Sequence, residues 1–106
     1  MISKYNNRRT HTEDGWFDSQ AELRRWQELK LLEKAGEIRN LRRQVEYELI
    51  PRMGGLRPIV YRADFVYEEA PTWREVVEDK KGYRDRLYKL KCRLMLWRHN
   101  IAILET

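Results

Sequence analysis

Between Gln44 and Lys81 the chain runs through three strand-patterned stretches with only short turn signals between them. In Gln44 to Ile50, Val45, Tyr47 and Leu49 face one way and Gln44, Glu46 and Glu48 the other, the alternation of a half-buried strand. Ile38 and Leu41 lead into it. Pro51 ends it, and Gly54-Gly55 followed by Pro58 marks a turn. Ile59 to Tyr67 is rich in β-branched and aromatic residues and predicts a second strand. Glu68 to Thr72, with Pro71, reads as a hairpin loop. Arg74 to Lys81 is the third strand, with Val76 and Val77 at its centre and Gly82 at its end. So much closely spaced strand commits the middle of the chain to a hairpin-rich sheet.

A helical pattern flanks that sheet on each side. Ser19 and Glu22 stand at the spacing of a capping box, and Ala21, Leu23, Trp26, Leu29, Leu32 and Ala35 follow at helical period before Gly36. A helix is predicted over residues 19–35. A second is predicted over residues 83–97, where Leu87, Leu90, Leu94 and Trp97 form an apolar stripe with Tyr83 and Met95 beside it. Asn100 breaks it, and residues 101–105 return as a short fourth strand. The order α-β-β-β-α-β predicts an α/β fold with a mixed central sheet flanked by helices. With 106 residues, one domain is expected.

Twenty-two Lys plus Arg against 17 Asp plus Glu leave a net charge of +5, a balance that suits a polyanion such as nucleic acid. Residues 1–15 are polar and carry Lys4, Arg8, Arg9 and His11. They read either as a flexible basic arm gripping phosphates or as a frayed terminus. Cys92 is the single cysteine, which excludes a disulfide framework and a paired-cysteine zinc site and fits a reducing cytoplasm. No signal-peptide core and no membrane-length apolar run is present, so a soluble cytoplasmic chain is expected.

The residues with chemical potential lie in the second and third strands. Asp64 interrupts Tyr61-Arg62-Ala63-Asp64-Phe65-Val66-Tyr67, and strand interiors disfavour Asp unless it is paired, solvated or bound to a cation. The third strand ends in Glu78-Asp79-Lys80-Lys81. If the two strands are antiparallel neighbours, Asp64 comes close to Asp79, and Asp79 and Lys81 share a face. Two carboxylates and an ammonium on one face can hold magnesium and act on a phosphodiester. The same residues can equally form a salt-bridge network on an exposed sheet face.

The layout and these motifs resemble the PD-(D/E)XK nuclease superfamily, in particular small phage proteins similar to the archaeal-type Holliday junction resolvases. The resemblance runs through Phe17-Asp18-Ser19-Gln20-Ala21-Glu22, Gln44-Val45-Glu46-Tyr47-Glu48-Leu49, Tyr61-Arg62-Ala63-Asp64-Phe65 and Val77-Glu78-Asp79-Lys80-Lys81-Gly82. Ala63-Asp64 stands where the superfamily has Pro-Asp. What the resemblance implies is a restriction-endonuclease-like core. It further implies Mg2+ (or Mn2+) held by Asp64 and Asp79, Lys81 as the catalytic lysine, and Glu22 as a further acidic residue at the metal. Glu78-x-Lys80 is a second register for the lysine motif; the family places its lysine directly before the glycine, which favours Asp79 and Lys81. Glu22 has a competing role in the capping box.

The activity implied is a metal-dependent endonuclease making paired nicks in four-way DNA junctions as a homodimer, in a bacterial or archaeal host if phage-encoded. The rivals are another repair or restriction-like nuclease, and a non-catalytic DNA-binding phage protein of the same fold. DNA contacts are expected from Lys4, Arg8, Arg9, Gln44, Arg84, Arg86 and Lys91. Gln44 and Lys91 have solvated or snorkelling alternatives.

Overall fold

The computed structural model describes residues 8–81 and 83–106. Its elements are β1 (Thr10–Thr12), β2 (Gly15–Phe17), α1 (Gln20–Lys34), β3 (Ile38–Ile50), β4 (Ile59–Glu69), β5 (Arg74–Asp79), α2 (Arg86–His99) and β6 (Leu104–Glu105). β3, β4 and β5 pair antiparallel in sequence order, and β6 returns parallel to β5 at the far edge. The result is a four-stranded mixed sheet with two helices, in the expected order.

The helices cover opposite faces. Leu29 of α1 is buried with Ile38, Phe65, Tyr67 and Val76, and Trp26 packs at the margin. Tyr88 and Met95 of α2 are buried with Leu49, Tyr61, Ala63, Val66 and Val77. Neighbours in β5 divide between the two clusters, Val76 to the α1 side and Val77 to the α2 side, as alternation demands. Each fully buried apolar side chain contributes roughly 2 kcal/mol.

Several boundaries move for identifiable reasons. Ser19 accepts from the backbone N of Glu22 (3.1 Å) and caps α1, as its position predicts. The second helix begins at Arg86 rather than Tyr83, because Asp85 is the N-cap and accepts from the backbone N of Tyr88 at 2.7 Å. β4 continues through Glu68 and Glu69, which were expected in the loop, because they pair on both sides, with Arg39 and Ile38 and with Glu75 and Arg74. β5 stops at Asp79, short of Lys81, and β6 holds only Leu104–Glu105 of the expected residues 101–105.

Two expectations need larger corrections. Part of the supposed arm is a hairpin: Thr10–Thr12 pairs with Gly15–Phe17. Asp14 accepts from the Trp26 indole and Lys30, and Arg43 donates to the carbonyls of Asp14 and Trp16, so the hairpin is tied down by tertiary contacts. On α2 the stripe Leu87, Leu90, Leu94 and Trp97 is not the core face. Leu87, Leu90 and Trp97 are each more than half exposed, and the helix packs through Tyr88, Cys92 and Met95, a second apolar set at the same period. Leu94 alone of the first stripe reaches the core margin.

Candidate active site

The centre of interest is a paired break in two neighbouring strands. Residues two apart in a strand share a face. Yet Ala63 packs on the α2 side and Phe65 on the α1 side, and in β3 Val45 and Leu41 divide the same way although four residues separate them. The switch falls at Gln44, whose φ is 53°, and at Asp64 across from it. A left-handed backbone on Gln costs on the order of 1 kcal/mol, and it turns the two polar side chains toward each other. Gln44 Nε2 lies 3.5 Å from Asp64 Oδ1.

The same break ends the β4–β5 ladder. Its last pair is Phe65 with Glu78, so one further step of that register sets Asp64 opposite Asp79. The ladder stops because the Asp64 carboxylate takes the Lys80 backbone N–H (Oδ2, 2.9 Å). On Asp79, Oδ2 accepts from the Tyr61 hydroxyl (2.7 Å) and stands 3.5 Å from Lys81 Nζ. Lys81 in turn sits 4.3 Å over the Tyr88 ring. Burial pushes the Asp64 carboxyl up to about 8, with the Asp79 carboxylate beside it adding to the rise and Glu22 adding less. Burial and then Asp79 likewise push the Tyr61 phenol up, so it stays a donor.

The two registers of the lysine motif are separated in space. Asp79 and Lys81 lie with Asp64. Glu78 points to the α1 side and is saturated: Arg25 Nε (2.7 Å) and Nη2 (2.9 Å), the Tyr67 hydroxyl (2.7 Å) and the Thr106 hydroxyl (3.3 Å) all donate to it. Glu22 is buried at the edge of the acidic pair, with Oε1 3.7 Å from Arg43 Nη2. Its carboxyl is raised by burial and by Asp18, and to a lesser degree by Asp79. The Arg43 guanidinium is stacked 3.7 Å over Phe17, which fixes it beside Glu22.

The expected DNA contacts scatter more widely. Lys91 lines a cleft of about 260 Å³ with Tyr61, Arg62, Lys81, Asp85 and Tyr88, on the α2 side. Arg84 pairs with Glu105 at 2.7 Å, and Arg86 is exposed at the start of α2. Arg9 stands 3.6 Å from Asp18 and 4.7 Å over Trp16, Arg8 is exposed, and Lys4 and Gly82 lie outside the described residues. Sequence reasoning missed Tyr61, Arg43 and the Arg25–Glu78 pair. Tyr61 carried a signal in hindsight, a tyrosine on the strand that also bears Asp64. Arg25 carried none, being 53 residues from Glu78.

The donor set suits a hard divalent cation. Asp64 and Asp79 are two oxygen ligands positioned by Lys80 N and Tyr61, and a cation between them would take the place of the proton that burial and the Asp79 carboxylate keep on Asp64. Among the described residues no group of three or more His, Cys, Asp or Glu side chains is gathered for a metal ion. Magnesium often takes only one or two carboxylates and keeps its waters.

Fold and site together define a small mixed α/β protein in which a buried aspartate, Asp79, a half-buried one, Asp64, and a lysine meet at the point where two strands part. The chain belongs to a family described as proteins of unknown function (DUF1064), whose model matches residues 2–102. No curated protein and no solved structure matches it. No helix among the described residues is long and apolar enough to cross a membrane.

Proposed function

We propose that the chain is a metal-dependent DNA endonuclease with a restriction-endonuclease-like core, acting on branched DNA and most specifically on four-way junctions. The observation that carries this reading is the placement of Asp64 opposite Asp79, with Lys81 3.5 Å from Asp79, where β4 and β5 separate. The order α1, three antiparallel strands, α2 and a returning parallel strand supports the core.

Asp64 and Asp79 would hold Mg2+ or Mn2+, with Glu22 as a nearby negative charge. Bound there, the cation would lower the pKa of a water and offset charge on the scissile phosphate. The chain's own residues do the rest. Tyr61 and the Lys80 backbone fix the two carboxylates, and Gln44 steers the free oxygen of Asp64. Lys81, half-buried against Tyr88, can orient the attacking water and stabilise the anionic transition state. Lys91 and Arg62, on the same cleft, can take the flanking phosphates.

Paired nicks in a junction call for a two-fold dimer. The exposed ridge Leu87, Leu90 and Trp97 of α2 is the apolar surface a second copy would cover. Nicking of matched junction and linear duplex substrates, with magnesium and with chelator, tests the reading. Magnesium-dependent nicking with junctions preferred is expected. Equal rates on both substrates would remove the junction preference, and binding without nicking under either metal would leave only a DNA-binding protein.

A further inference from the structure

We propose that the tip of the β3–β4 hairpin is a nucleic-acid wedge, with Met53 and Leu56 entering a base step and Arg52 and Arg57 on the phosphates beside it. This rests on the nucleic-acid half of the function above and not on cleavage. Past the Ile50–Ile59 pair the chain leaves the sheet between Pro51 and Pro58. Gly54 and Gly55 take φ of 56° and 73°, the signs a type I′ turn requires. Leu56 N donates to Met53 O (2.9 Å) and Met53 N to Leu56 O (3.3 Å), which closes the turn. The prong is also braced at its base. Arg98 donates to Leu49 O (3.2 Å) and to Glu48 (3.0 Å), and His99 Nε2 meets Glu48 O at 2.7 Å.

What this rigid tip presents is unusual for a solvated loop. Met53 is 60% and Leu56 71% exposed, so two large apolar side chains stand in water at the end of a pre-formed turn. Arg52 and Arg57 beside them are exposed and form no ion pair among the described residues. No acidic residue occurs from Ile50 to Ala63. An acid-free, arginine-flanked tip is complementary to a polyanion, and leucine and methionine are among the side chains that wedge between bases. The tip lies eight residues along the chain from Asp64, a span of roughly 25 Å if the strand direction is kept, or about seven base pairs of duplex.

The test is DNA binding by the full chain in chelator. The probes are an aminopurine-labelled four-way junction and a linear duplex of the same arm sequence. Met53→Ser with Leu56→Ser should weaken binding roughly tenfold and abolish the aminopurine fluorescence rise. Its salt dependence should be unchanged. Arg52→Ala with Arg57→Ala should lower the slope of log affinity against log salt by about two. Both variants should melt with the wild type, since the altered side chains are exposed. The wedge is overturned if the apolar double variant matches the wild type in affinity and fluorescence, or if the wild type binds no DNA. It is equally overturned if the variants turn an oligomer into a monomer at unchanged DNA affinity, which would make the tip a contact between copies. A wild type that binds through the tip and never nicks would keep the wedge and remove the endonuclease.

Discussion

Glu78 and Asp79 are adjacent, both essentially inaccessible at 0% and 1% exposure, and they face opposite sides of the sheet. Their surroundings differ in kind. On the α1 side, Glu78 has a bidentate guanidinium and two hydroxyls, so its charge is fully matched. On the α2 side, Asp79 has one phenol, a lysine at 3.5 Å and a second carboxylate as its neighbour. A saturated buried charge holds a fold together; an unsaturated one retains the capacity to bind. Burial of an acid therefore says little about function until its partners are counted.

Substitutions on the two sides should separate these roles. The largest effect is expected from Asp79→Asn or Asp64→Asn, which should cut nicking by at least roughly a thousandfold while junction binding survives; a gel-based nicking assay beside a binding titration would show whether the two part. Next, Arg25→Met should cost about 3 kcal/mol of stability, because it strands the Glu78 charge in the interior. Chemical denaturation measures this, and the surviving folded fraction should still nick. If it folds normally but cannot nick, the α1 side is not merely structural.

The acidic pair should also leave a trace in the pH dependence of stability. The folded Asp64 carboxyl, at about 8, lies above its ordinary 3.8, so the folded chain keeps a proton that the unfolded chain releases. The sign is that stability contributed by the protonated carboxyl is present at low pH and is lost as pH rises toward 8. Asp64→Asn should flatten that decline and raise stability near pH 8 by up to a few kcal/mol in metal-free buffer. An unchanged slope in thermal melts across that range would place the charge repulsion elsewhere. The smallest effect is expected from Tyr61→Phe, which removes one donor from Asp79: about 1 kcal/mol of stability and a several-fold loss of nicking. No change in either would mean that Lys81 alone suffices to position Asp79.

Much of the frame was legible because it rests on local signals. Ser19 and Gly36 bracket α1, Pro51 and the glycine pair mark the long hairpin, and Asp64 stands out as an acid within an apolar strand. What stayed hidden depends on distance or on competition between equal patterns. The β1–β2 hairpin has only Thr-His-Thr and Gly-Trp-Phe to signal it, and its anchors Trp26 and Arg43 come from other elements. Two apolar stripes at one helical period compete on α2, and periodicity cannot say which meets the sheet. The strand alternation that seemed to continue through Gln44 reverses there, because its positive φ is invisible to a period of two. Alternation alone treats Asp79 and Glu78 alike, since Val76 and Val77 give both registers an apolar neighbour, and the Arg25 partner of Glu78 lies 53 residues away.

Calorimetric titration of manganese into the full chain goes straight to the contrast between the two faces. Saturable binding by the wild type, lost in Asp64→Asn and retained in Glu78→Gln, is expected. Binding that survives Asp64→Asn but vanishes in Glu78→Gln, or no binding by the wild type, would contradict the assignment of Asp64 and Asp79 as the cation site.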